Sequence, residues 1–292
     1  MSTTVVPRLF CFGLGYSAAA LAARLAAEGY RLAGTCRSEA RRTTLRAAGI
    51  DAYLFDRGRP LDAAAALAGT THLLSSVPPD DAGDPVLDQH AADIAGLGGL
   101  AWVGYLSTTG VYGDRQGGWV DEDAPLTPAT ERGRRRVDAE RQWLRLFDAH
   151  GLPVHRFRLA GIYGPGRSQL DAIKAGTAQR IDKPGQVFSR IHVDDIAAVL
   201  AASIARPNPG AAYNVCDDEP APPAEVVAFA CDLLGLAPPP LVSFAEARLS
   251  AMGRSFFAES KRVSNARIKH ELGVQLRYPT YREGLAALAS RR

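Results

Sequence analysis

The sequence predicts an α/β protein built on a doubly wound parallel sheet with a smaller C-terminal lobe. Three observations carry this expectation. Short apolar runs alternate with segments of helical period through the N-terminal half, a Gly-x-Gly-x-x-Ala turn (Gly13–Ala18) joins the first run to the first such segment, and beyond Gly164 the rhythm loosens into Gly- and Pro-rich turns. Strands alternating with helices of this length require right-handed crossovers, hence a parallel sheet.

Arg8–Gly13 (RLFCFG) reads as a strand ending in glycine, and Ser17–Gly29 as a helix with Ala20, Leu21, Arg24, Leu25 and Glu28 at helical spacing. Arg31–Cys36 and Ala52–Phe55 are strands on either side of a helix over Glu39–Ala48. Leu61–Ala68 is helical, His72–Val77 is a strand stopped by Pro78 and Pro79, and Leu87–Leu97 is helical. Ala101–Ser107, a long helix over Arg134–Ala149 and a strand over Val154–Leu159 complete the alternation. An Ala-rich helix over Asp194–Ala205 and a strand over Ala212–Val215 follow. The expected organisation is a nucleotide-binding domain over 1–163, to which 191–216 returns, and a substrate-binding lobe of 164–190 and 217–292.

Lys+Arg 34 against Asp+Glu 31 leaves a net charge of +3, too little for the basic stripe of a nucleic-acid binder. A small-molecule substrate is the expected partner. Only Lys174, Lys183, Lys261 and Lys269 are lysines, so nearly all positive charge is arginine. Cys11, Cys36, Cys216 and Cys231 form no C-x-x-C pair and read as reduced thiols. With no basic leader and no apolar run near the ~20 residues that span a bilayer, a soluble cytoplasmic chain without membrane contact is expected. The histidines have no spacing that makes a metal site.

In the turn Gly13-Leu14-Gly15-Tyr16-Ser17-Ala18, the first glycine permits the bend. The second admits a pyrophosphate, and Ala18 lets helix and strand approach, with the helix N-terminus facing the phosphates. Cofactor choice is made at the end of the second strand, where a carboxylate would bond ribose hydroxyls and an arginine would take a 2′-phosphate. Arg37 and Ser38 stand there, and NADP is expected over NAD. Asp56, after the third strand, serves either an adenine amino group or else is a helix N-terminal cap or a surface carboxylate. Ser76 and Val77, ending the fourth strand, complete the expected cofactor set.

Downstream, LSTTGVYGD (106–114), RLAGIYGPG (158–166) and IHVDDIA (191–197) follow the glycine turn in that order. Together they resemble the extended short-chain dehydrogenases/reductases, the NAD-dependent epimerase/dehydratase group acting on nucleotide sugars, over most of the chain. The resemblance implies a Rossmann-like fold, a nicotinamide cofactor and a homodimer. It also implies a catalytic Ser/Thr, here Thr108 with Ser107 beside it, and a Tyr-x-x-x-Lys on the next helix. Alignment puts Arg132 on the tyrosine and Arg136 on the lysine, and the chain contains no Tyr-x-x-x-Lys. Arginine keeps the charge but stays protonated and cannot share the tyrosine's proton work. The chain therefore resembles the atypical subgroup with other polar residues at those positions.

The substitutes considered are Tyr163 and His192 for proton transfer, each with a packing role as its alternative, and Arg136 for the ribose contact. Arg190, Lys261 and Arg262 are candidates for an anionic, sugar-derived substrate, or else surface charge. The expected activity is NADP-dependent reduction or epimerisation. The rival is a non-catalytic NADP(H) sensor, supported by the missing tyrosine and opposed by the retained Thr108.

Overall fold

The computed structural model describes residues 6–290. In chain order its elements are β1 (Arg8–Phe12), α1 (Tyr16–Ala27), β2 (Arg31–Cys36), α2 (Glu39–Ala47), β3 (Asp51–Leu54), α3 (Ala63–Leu67), β4 (His72–Ser75), α4 (Pro85–Ala95) and β5 (Trp102–Thr108). A short 3-10 turn (Thr109–Tyr112) precedes β6 (Trp119–Val120), α5 (Glu131–His150), β7 (Val154–Leu159), β8 (Gly161–Tyr163), α6 (Gln169–Lys174), β9 (Arg180–Asp182) and β10 (Arg190–His192). The chain continues through α7 (Val193–Ala205), β11 (Ala212–Val215), α8 (Pro223–Leu234), β12 (Leu241–Ser243), α9 (Ala251–Phe256), β13 (Arg262–Val263), α10 (Ala266–His270) and α11 (Tyr281–Ser290).

Seven strands form the expected parallel sheet, in the order β11-β7-β5-β4-β1-β2-β3. All five residues of the central β1 are buried, as a strand covered on both faces requires. The edge strand β3 is only partly covered. α1 packs on the sheet through Ser17, Ala18, Leu21, Ala22 and Leu25, the i, i+3, i+4, i+7 stripe of an amphipathic helix. α4 begins two residues before the expected Leu87. Asp84 caps it, Oδ1 accepting from the Val86 N–H at 2.9 Å, and Pro85 follows in the first turn, where its missing N–H costs nothing. The other Asp84 oxygen accepts from the Trp143 indole at 2.8 Å, tying α4 to α5 within a core that includes Phe10, Phe12, Val103 and Tyr105.

The chain divides into two compact units. Unit 1 holds the residues up to Ser107 together with Arg135–Phe157 and Ala197–Tyr213, and unit 2 holds Thr108–Arg134, Arg158–Ile196 and Asn214 onward. This differs from the boundary expected at 163. The loop and first helical turn after β5 group with the second unit, to which the Ser260 N–H donating to Asp114 at 2.7 Å and the β13–β6 pair tie them. Unit 2 contains three two-stranded parallel pairs, β10–β8, β12–β9 and β13–β6. Its two apolar clusters centre on Tyr163, Val226, Tyr281 and Leu285, and on Ile181, Ala247 and Phe257. Among the described residues no helix is long and apolar enough to cross a membrane, and no group of His, Cys, Asp and Glu could hold a metal ion.

Candidate functional site

The strand order reverses direction between β1 and β4, and the crevice beyond the carboxyl ends of such strands is where doubly wound sheets take ligands. The glycine turn follows β1 there. Gly13 has φ +79°, and a Cβ on it would lie 2.9 Å from Ser76 Oγ and 3.1 Å from Val77 Cγ2. Its N–H donates to Thr35 Oγ1 at 2.7 Å, and its carbonyl accepts from the Ser76 hydroxyl. The Leu14 N–H donates to the Thr35 carbonyl at 2.8 Å, while its side chain is buried against Gly34, where a Cβ would stand 2.7 Å from Leu14 Cδ1. Leu14 and Ser76 thus hold the turn rather than offer groups to a ligand.

Gly15 is different in kind. Its φ of −89° suits any residue, and nothing lies within 4 Å of where its Cβ would be. Internal packing does not explain a glycine there, whereas a group approaching from outside does. Gly15 is also the N-cap of α1 and supplies no side-chain cap, so the first turn at Tyr16, Ser17 and Ala18 presents its amide dipoles outward.

At the end of β2, Arg37 is exposed. Ser38 caps α2, accepting from the Arg41 N–H at 3.3 Å, and Glu39 is paired with Arg42 at 2.7 Å. Asp56 accepts from the Gly58 N–H at 2.9 Å and caps no helix, the cap of α3 being Asp62. Arg136 donates to the Leu106 carbonyl at 2.5 Å and lies over the Tyr105 ring. Burial pushes the Tyr105 phenol up, only partly offset by that guanidinium.

Unit 2 contains a cavity of about 690 Å³. Thr108 opens onto it, its Oγ1 accepting from the Gly110 N–H at 3.2 Å. Neighbouring Ser107 is spent elsewhere, donating to buried Glu140 at 2.5 Å, so Thr108 alone of the pair reaches the cavity. Arg132 also lines it, its guanidinium 4.3 Å from the centre of the Phe256 ring. Lys261 and Glu259 form an ion pair of 2.7 Å in the wall, with side chains 10% and 8% exposed. Such pairing is what lets charges sit in a nearly water-free wall. Arg190 lines the cavity as well, but its Nη1 donates to the Phe188 and Ala221 carbonyls at 2.8 and 3.2 Å. Behind it the buried Asp217 carboxyl is pushed up to about 8 by burial, against the pull of Arg190.

Three expectations, those for Tyr163, His192 and Arg262, need correction. Tyr163 borders the cavity, but its hydroxyl turns to the Thr280 carbonyl at 3.4 Å, against Gly284. Burial and the nearby Asp217 and Asp195 charges push the phenol far up, so it is a poor acid. His192 is fully buried between Tyr163 and Tyr278 at ring distances of 5.2 and 4.2 Å. Its Nδ1 accepts from the Asp194 N–H at 3.1 Å, and it does not line the cavity. Arg132 is among the lining residues, and Arg136, expected at the ribose, lies in unit 1. Arg262 is separated from Lys261, donating to the Gly117 carbonyl and lining a different, smaller cavity. Sequence reasoning missed Glu259. Its signal was the Glu-x-Lys spacing, which puts both side chains on one face of an extended stretch.

The sheet order, with the glycine turn at its switch point, is that of a doubly wound, Rossmann-like α/β protein. No family model matches the chain. It is 31% identical over 281 residues to Protein YeeZ of Escherichia coli, covering 91% of this chain and 94% of that one. The chain belongs to the family of that protein. A conserved protein of unknown function from Silicibacter pomeroyi superimposes with a TM-score of 0.89 at 54% identity, over 98% of this chain and 99% of that one. A Methylobacillus flagellatus protein, provisionally assigned as an NAD-dependent epimerase/dehydratase, does so with a TM-score of 0.73 at 27% identity, over 98% of each chain.

Proposed function

We propose that the chain is an atypical, epimerase-like oxidoreductase that uses a nicotinamide dinucleotide, NADP in preference to NAD, on an anionic, sugar-derived small molecule. Gly15 carries the reading: a glycine with open space around it, at the uncapped end of α1 and the switch point of the sheet. A pyrophosphate is the group such a position accepts. Tyr16, Ser17 and Ala18 would hold it, with Gly13 and Val77 shaping the floor. When bound, the dinucleotide supplies hydride chemistry.

Arg37 beside an engaged Glu39 supports a 2′-phosphate over bare ribose hydroxyls. In unit 2, Thr108 offers a hydroxyl to the reacting oxygen, while Lys261 and Arg190 favour an anionic group in the cavity. The provisional assignment of the Methylobacillus flagellatus protein supports the class of chemistry. A cytoplasmic homodimer belongs to the same reading.

Calorimetric titration of the full chain with NADPH and NADH is the test, followed by an oxidation assay over keto acids, aldehydes and nucleotide sugars. The reading expects NADPH to bind at least ~10-fold more tightly than NADH and one class to turn over; binding of neither nucleotide overturns it. The sensor alternative is favoured by one observation, that Tyr163 and His192 are turned from the cavity. It expects tight NADPH binding with no turnover.

A further inference from the structure

With Tyr163 and His192 removed as proton donors, the cavity still contains a buried ionisable pair that no family motif accounts for. Lys261 Nζ lies 2.7 Å from Glu259 Oε2, and both residues line the cavity that Thr108 opens onto. An ammonium has three N–H donors, and this carboxylate oxygen takes one. The backbone around the pair is fixed independently: the Gln186 amide donates to the Glu259 carbonyl at 2.8 Å, and the Ser260 N–H to Asp114 at 2.7 Å. The pair is therefore held in the wall and does not drift as a surface ion pair would. Unlike Arg132, a lysine can give up a proton and recover it.

We infer that Lys261, positioned by Glu259, is the acid that replaces the absent tyrosine. This deepens the oxidoreductase reading and rests on it. The nicotinamide, when bound, would supply the hydride of the reductive direction. The π pair of the substrate carbonyl then takes a proton from Lys261 Nζ, giving the alcohol and a neutral amine. A proton taken up from solvent restores the ammonium beside the Glu259 carboxylate. Thr108 donates to the same oxygen and transfers nothing. Proton donation to a developing alkoxide is the role that a positioned lysine fills in general acid catalysis.

The scarcity of lysines makes a direct test practicable. The full chain is labelled with ¹³Cε-lysine, which gives signals from four lysines only. The Lys261 signal is assigned by its loss in Lys261→Arg. NADP-saturated protein is then titrated with pyruvate, benzaldehyde, 4-carboxybenzaldehyde and glucuronate, with pH series on wild type and Glu259→Gln. The inference expects the Lys261 signal to respond to at least one of these compounds. In Glu259→Gln that response should weaken, since the lysine has lost the carboxylate that positions it. With a compound that turns over, Lys261→Arg should lower kcat ~100-fold with KM within ~3-fold, because charge and anion contact remain while the transferable proton does not.

A Lys261 signal indifferent to every compound overturns the inference. So does a Lys261→Arg variant that turns over like wild type, and both results leave the oxidoreductase reading standing. Failure of the chain to bind NADPH removes both. Should Glu259→Gln not fold, the wild-type signal and Lys261→Arg still decide.

Discussion

The two units place function on different parts of the polypeptide. On the proposed reading, the binding features of unit 1 are backbone: a left-handed glycine at residue 13, an open glycine at 15 and a helix end with no side-chain cap. In unit 2 they are side chains whose partners come from distant segments, such as Lys261 with Glu259 beside a cavity that Thr108 and Arg190 also line. Backbone sites follow from local sequence and tolerate no substitution. Side-chain sites depend on the tertiary fold.

The contrast breaks most visibly in the core. Trp143 is fully buried and its indole holds Asp84. Trp143→Ala should cost about 3–5 kcal/mol, read as a lowered denaturation midpoint. A loss below about 1 kcal/mol would mean that the α4–α5 packing is not what stabilises unit 1.

Gly15→Val separates ligand from fold. Its Cβ meets nothing, so Tm should stay within about 2 °C while NADPH affinity falls about 100-fold. Unchanged affinity would remove the turn from the binding site.

Unit 2 carries charges that oppose stability. The Asp217 carboxyl is raised to about 8, so between about pH 4 and 8 the folded state holds a proton that the unfolded state has released. Stability from this group is full below about pH 4 and declines as pH rises through that window. Asp217→Asn should flatten this slope and stabilise the protein at pH 7 by on the order of 2 kcal/mol, with little effect at pH 4. Equal denaturation midpoints for wild type and variant at pH 7 would contradict the buried assignment.

The smallest effect expected is at Arg37. Arg37→Glu should shift the NADPH to NADH affinity ratio by about 10-fold toward NADH, or about 1.4 kcal/mol. An unmoved ratio would place the arginine in solvent.

What the sequence revealed follows the same division. All seven strands of the main sheet were legible, because apolar runs bounded by glycine or proline mark buried parallel strands. The start of α4 was misplaced because Asp84-Pro85 looks like a loop until the cap is recognised. The three-residue strands β8, β9, β10 and β12 are too short to show a period. Thr108 was found at the cavity, but the directions of Tyr163 and His192 were not, since a motif fixes a position along the chain and not where its side chain turns. Lys261 and Arg262 were grouped as neighbours, although adjacent residues entering a strand point to opposite faces.

Each unit is assembled from three separated stretches of chain. No single cut of the gene releases either one, and a fragment ending near Ser107 would lack the segments at Arg135–Phe157 and Ala197–Tyr213 that finish its own unit. Evolution has faced the same restriction. A new cavity cannot be acquired here by joining a ready-made module to the end of a nucleotide-binding one. It must be remodelled in place, residue by residue, in a gene that interleaves the two units beyond Ser107.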